Sequence, residues 1–223
     1  MFRKKGKKVY GVLMDYDLSS WTEDLTNDYA KTSQYRTGTP PFTAHELIAE
    51  APMLHLYRHD VESLFYIMII LTTHYEIETP TKGKSGGLRM RQDLRALPYR
   101  GWFDQPSYKI LASIKQTFLE APGHLDLSRS LEGFRDWVEG IHLSFADGVA
   151  SRQVYRNSVA RQKLLNKGGR GTTAIQNFDD ETLGGHVCYS TLTDSARNLK
   201  GELEGLIVHY KGTASTDPIQ VDS

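Results

Sequence analysis

Asp15 and Asp17 stand one residue apart at the end of a short apolar run, in LMDYDLSSW at residues 13–21. Two acids in that place serve either a tight turn or a hard cation such as magnesium, which takes oxygen ligands. Other residues of suitable type lack the spacing their chemistry needs. GKS at 83–85 resembles the end of a phosphate-binding loop, but the glycine required five positions earlier is Glu78. HEL at 45–47 opens like a zinc-protease helix, yet position 49 is Ala49 instead of a second histidine. His55 and His59 are four apart and can share a helix face, but no thiol cluster accompanies them. Cys188 is the only cysteine, with nothing in the sequence to mark it as a nucleophile.

The elements that must position these groups read as mainly helical. KKVYGVLMD alternates as a short strand after a Lys/Gly turn, and the cations Arg3 to Lys8 read as the solvated tip of a hairpin. LFYIMIILTTHY at 64–75 is apolar all round and too short to span a bilayer, which predicts a central helix buried on every side. Tyr108, Leu111, Ala112, Lys115 and Leu119 predict a second packing face. Leu131, Phe134, Val138, Ile141 and Phe145 predict a third, with Ser128 or Ser130 placed to cap it. A last stripe runs Leu192, Ala196, Leu199, Leu203, Leu206, Tyr210. Residues 77–106 read as a long loop region, 166–173 as a basic linker, and 214–223 as a disordered tail.

Charge and cysteine content narrow the setting. The 27 basic and 27 acidic residues cancel, so no global field points to nucleic acid, and no apolar segment marks a membrane partner. A single cysteine excludes an internal disulfide, as in a reducing intracellular compartment, cytoplasmic or nuclear.

Three elements in fixed order carry a resemblance: MDYD, then GTPPFTAHE at 38–46, then YRHDVESLFY at 57–66. They resemble, respectively, the metal-binding turn, the end of the activation segment and the start of the central helix in the large lobe of protein kinases. The variants Asp-x-Asp, YRTGT and YRHDVESLFY are similar to the fungal-type protein kinase family, and FDDETLGG at 178–185 resembles that family's C-terminal region. From Asp15 to Glu46 there are 32 residues, a normal size for such a segment.

The resemblance implies a kinase-like C-terminal lobe with a short N-terminal hairpin over residues 1–150, and a family extension over 151–213. It implies Mg and ATP as cofactors, phosphoryl transfer to protein Ser or Thr, and a protein substrate or docking partner. Asp15 would hold the metal. Thr37, Thr39 and Glu46 would belong to the activation segment, with Glu46 paired to an arginine that the sequence does not identify. Asp60 would sit at the start of the buried helix. Asp17 replaces the usual glycine and His45 the usual proline. Only 14 residues precede Asp15, so the glycine loop, the Lys–Glu pair and the catalytic loop are expected to be missing. The expectation is a truncated, inactive kinase domain or, alternatively, a pseudokinase-like scaffold.

Overall fold

The computed structural model describes residues 2–5, 8–11, 39–49, 55–78, 86–92, 97–167, 177–196 and 199. The chain forms two compact units, Met1–Thr37 and Gly38–Ser223. In the first, β1 (Phe2–Lys5) and β2 (Lys8–Gly11) pair antiparallel, with Arg3 opposite Tyr10 and Lys4 opposite Val9. This is the expected hairpin.

The second unit is built on α2 (Tyr57–His74), preceded by the single turn α1 (His45–Ile48). Val61, Phe65, Tyr66, Ile69 and Ile70 of α2 are buried in one core. Around it lie a short α3 (Gly101–Asp104), α4 (Tyr108–Glu120), α5 (Arg135–Lys167) and α6 (Tyr189–Ala196). Aromatic rings fill the centre: Phe65 stacks on Phe145 at 5.3 Å, and Tyr66 meets the edge of Trp102 at 5.0 Å. His142 stacks on Phe118 at 4.2 Å while its Nε2 bonds the Phe118 carbonyl at 2.6 Å. Side chains of this size dominate the apolar area removed from water.

Several sequence expectations change. α2 is not buried on every side: Leu64, Ile67 and Leu71 are 43, 39 and 40 % exposed, one stripe at helical spacing. Composition marks the helix as apolar, but only the packing partners decide which face is covered. Residues 77–106 hold a second hairpin, β3 (Tyr75–Glu78) against β4 (Gly87–Met90), with Ile77 opposite Leu88. Four-residue strands without alternating burial carry little period-2 signal.

Neither serine caps α5. A 3₁₀ helix, Arg129–Phe134, leads into it; Ser128 Oγ is buried without a partner, and Ser130 Oγ accepts the Ile77 N–H at 2.7 Å. Tyr108 is exposed, whereas Leu111, Ala112, Lys115 and Leu119 face inward as expected. The boundary expected at 150–151 falls inside α5, which continues to Lys167 without a break. Among the described residues no helix is long and apolar enough to cross a membrane.

Candidate functional site: the anchored segment Thr39–Ala49

Thr39–Ala49 has almost no regular structure of its own, so its conformation must be imposed from outside. Thr39 starts a turn, accepting the Phe42 N–H at 2.8 Å and the Thr43 hydroxyl at 3.2 Å. α1 follows as one turn, with no side-chain cap. A four-residue helix cannot stand alone. Groups on three long helices hold it.

The first anchor is Glu46. Its Oε1 accepts from Arg152 Nη2 on α5 at 2.7 Å, and its Oε2 accepts from Arg58 Nη2 and from His59 Nε2, the latter at 3.1 Å. His59 Nδ1 accepts the Leu56 N–H at 3.1 Å, so its proton sits on Nε2 and points at the carboxylate. Glu46 thus pairs with two arginines: Arg58, 12 positions on, and Arg152, which lies 106 positions beyond it, where no local spacing rule can pair them. Burial acts to raise the Glu46 pKa. The His59 bond and the two guanidinium groups outweigh it and hold the carboxyl far below its usual range.

The second anchor is Glu62, fully buried on α2. One oxygen, Oε1, accepts from the His45 backbone N–H at 2.6 Å, the His45 ring Nδ1 at 2.9 Å and the Tyr66 hydroxyl at 2.6 Å. Burial opposes charge on both partners, but Glu62 raises the His45 pKa and His45 lowers that of Glu62. The third anchor is Lys115 on α4. Its Nζ donates to the carbonyls of Pro40 at 2.9 Å and Thr43 at 2.6 Å, and lies 4.1 Å from the Tyr66 ring centre. Burial, partly offset by Glu62, brings its pKa down to about 7.

Of the residues singled out by sequence, Thr39 and Glu46 fall in this segment. Asp15 and Thr37 lie outside the described residues. Asp60 is at the start of α2 as expected, but its side chain is 72 % exposed and pairs with His55 Nε2 at 2.9 Å. His55 and His59 therefore serve different carboxylates. His45, Glu62 and Lys115 were missed as site residues. Lys115 carries only the signal of a cation within an apolar stripe, and His45, in the failed zinc motif and at the place of the usual proline, carries no signal that its ring meets Glu62. Among the described residues, no group of three or more His, Cys, Asp or Glu side chains can hold a metal ion.

The arrangement can therefore fix a loop in one shape; the described residues include no nucleophile–base pair within it. The family model described as fungal protein kinase matches residues 1–72, a span that includes this segment and most of α2. No curated protein and no solved structure matches the chain.

Proposed function

We propose, from the premise that residues 1–72 of this chain belong to the fungal protein kinase family, that the chain is the large-lobe portion of an ATP-dependent kinase acting on protein Ser or Thr. In this reading Thr39–Ala49 is the platform that receives the acceptor peptide. The observation that supports it most is the Glu46–Arg152–Arg58 cluster, which fixes that segment to α2 and α5. Positioning an acceptor within about 3–3.5 Å of its target accounts for much of a phosphotransferase's rate, so a rigid platform serves that chemistry. Mg-ATP supplies the transferred phosphoryl group and the charge that neutralises it. Asp15 is the residue proposed to hold the metal, and Thr37 and Thr39 are proposed members of the activation segment. An intracellular setting, cytoplasmic or nuclear, accompanies this reading.

The 223 residues by themselves are proposed not to transfer phosphate. They contain no His-Arg-Asp-x-x-x-x-Asn sequence to provide a base. One carboxylate holds magnesium weakly without phosphates and further ligands. A second reading, a docking or pseudokinase-like scaffold for a protein partner, is favoured by the exposed stripe Leu64, Ile67 and Leu71.

Thermal unfolding of the chain with and without millimolar Mg-ATP, beside a labelled-phosphate assay on a generic protein acceptor, tests the proposal. No shift and no incorporation are expected. A stabilisation that vanishes in Asp15→Ala, or phosphate transfer by the purified chain, overturns the inactive reading.

A further inference from the structure

At the start of α2 the Leu56 N–H is taken by His59 Nδ1 and the His59 N–H by the Leu56 carbonyl, at 2.9 Å. The Leu56 side chain accepts nothing, so the Tyr57 and Arg58 amides need acceptors from elsewhere. They find them 124 positions away in the loop 177–187. Glu181 Oε2 accepts the Tyr57 N–H at 2.7 Å, and the Glu181 carbonyl accepts the Arg58 N–H at 3.1 Å. The Asp180 carbonyl accepts from the Arg58 guanidinium, the same group that holds Glu46. The Asp180 carboxylate lies 4.0 Å from Arg152 Nη1, whose other nitrogen bonds Glu46. Both arginines that grip Glu46 are thus in reach of one loop.

The loop is built to present these groups. Asp179 Oδ1 accepts the N–H groups of Glu181 at 3.0 Å and Thr182 at 3.3 Å, and the Gly184 N–H closes onto the Asp179 carbonyl at 2.8 Å. Leu183, Gly184 and Gly185 take φ of 52, 73 and 89°, a left-handed run that is unfavourable for leucine. What holds Leu183 there is its side chain, buried against α5 where Gly148 leaves room.

We infer that loop 177–187 is a positioning element for the segment Thr39–Ala49, with Glu181 and the Asp180 carbonyl setting Arg58 and, through it, Glu46. Describing 39–49 as acceptor-facing rests on the function proposed above; the mechanical coupling does not. The loop caps α2, the cap orients the first turn, and that turn carries the arginine and histidine that hold Glu46. Release of the loop is expected to loosen the turn that carries two of the three donors to Glu46.

Amide hydrogen exchange on the full chain, resolved by segment, tests this with Glu181→Ala and Glu181→Gln. Glu181→Ala is expected to speed exchange at 57–59 and at 45–49 by roughly fivefold, the effect of a lost cap. The hairpin at 75–90 and α4 are expected to keep their rates. Glu181→Gln, whose amide oxygen still accepts the Tyr57 N–H, is expected to restore both segments. Faster exchange at 57–59 alone reduces Glu181 to a local cap and overturns the inference. So does an unchanged pattern, a uniform rise across the chain, or failure of Gln to restore 45–49. None of these outcomes depends on nucleotide binding or phosphate transfer, so they are distinct from failure of the kinase reading.

Discussion

Glu46 is half of no simple pair; it accepts from Arg58, His59 and Arg152 at once, in a place where water is scarce. Removing it leaves Arg58 with the Asp180 carbonyl and Arg152 with the Asp180 carboxylate at 4.0 Å, and under-compensated buried charge costs more than the original pair was worth. Glu46→Ala is expected to lower stability by about 3–5 kcal/mol in urea denaturation. Asp60→Asn is the control on the same helix. Its exposed pairing with His55 is worth about 0–1 kcal/mol, so a small change is expected. A larger loss in Asp60→Asn than in Glu46→Ala would reverse the assignment of anchors.

At the scale of elements, α5 and loop 177–187 meet at Gly148. A Cβ built there lies 2.8 Å from Leu183 Cβ, closer than side chains approach without movement. Alanine in a helix interior ordinarily gains about 0.5–1 kcal/mol over glycine. Here the clash is expected to win, with Gly148→Ala destabilising by about 1–3 kcal/mol as overpacking does. A higher melting temperature for Gly148→Ala would show that the loop yields easily. On α2 the two faces should differ as sharply. Phe65→Ala removes a wholly buried ring and is expected to cost about 3–5 kcal/mol, whereas Ile67→Gln on the exposed stripe should change stability by under about 0.5 kcal/mol.

For the whole molecule, pH separates the anchors. Lys115 has a folded-state pKa brought down to about 7 from 10.5, so between those values the unfolded chain binds the extra proton. By linkage its contribution to stability rises as pH climbs from about 7 toward 10.5. The uncharged amine keeps two N–H groups, one for each of the Pro40 and Thr43 carbonyls. His45 runs the other way. Its pKa is raised above 6.5, so its contribution is complete below 6.5 and is lost as pH rises through the folded value. Glu46 and Glu62, both lowered, contribute above 4.5 and lose that contribution on acidification. Stability measured by denaturant at pH 7 and 9.5 should therefore show Lys115→Met widening its deficit at the higher pH. A constant deficit would mean that Lys115 stays charged in the fold.

How much of this was legible beforehand follows range. The N-terminal hairpin, the apolar character of α2 and the stripes of α4 and α5 are encoded within a few residues of one another, because period and turn chemistry are local. The order of MDYD, GTPPFTAHE and YRHDVESLFY likewise singles out residues 38–46, with Thr39 and Glu46 among them. The sequence alone determined where the longest helices run, α2, α4 and the start of α5; the short α1, α3 and the 3₁₀ helix at 129–134 carry no such signal. Tertiary structure alone decided who holds Thr39–Ala49: Arg152, Lys115 and Glu181 lie 106, 75 and 124 positions from Glu46, Pro40 and Tyr57 respectively. It also decided that Leu64, Ile67 and Leu71 face outward while Lys115 faces inward, against their chemical types. A side chain's type states what its environment must provide. Whether a partner stands there depends on how helices far apart in the chain come together, and no residue-to-residue spacing records that.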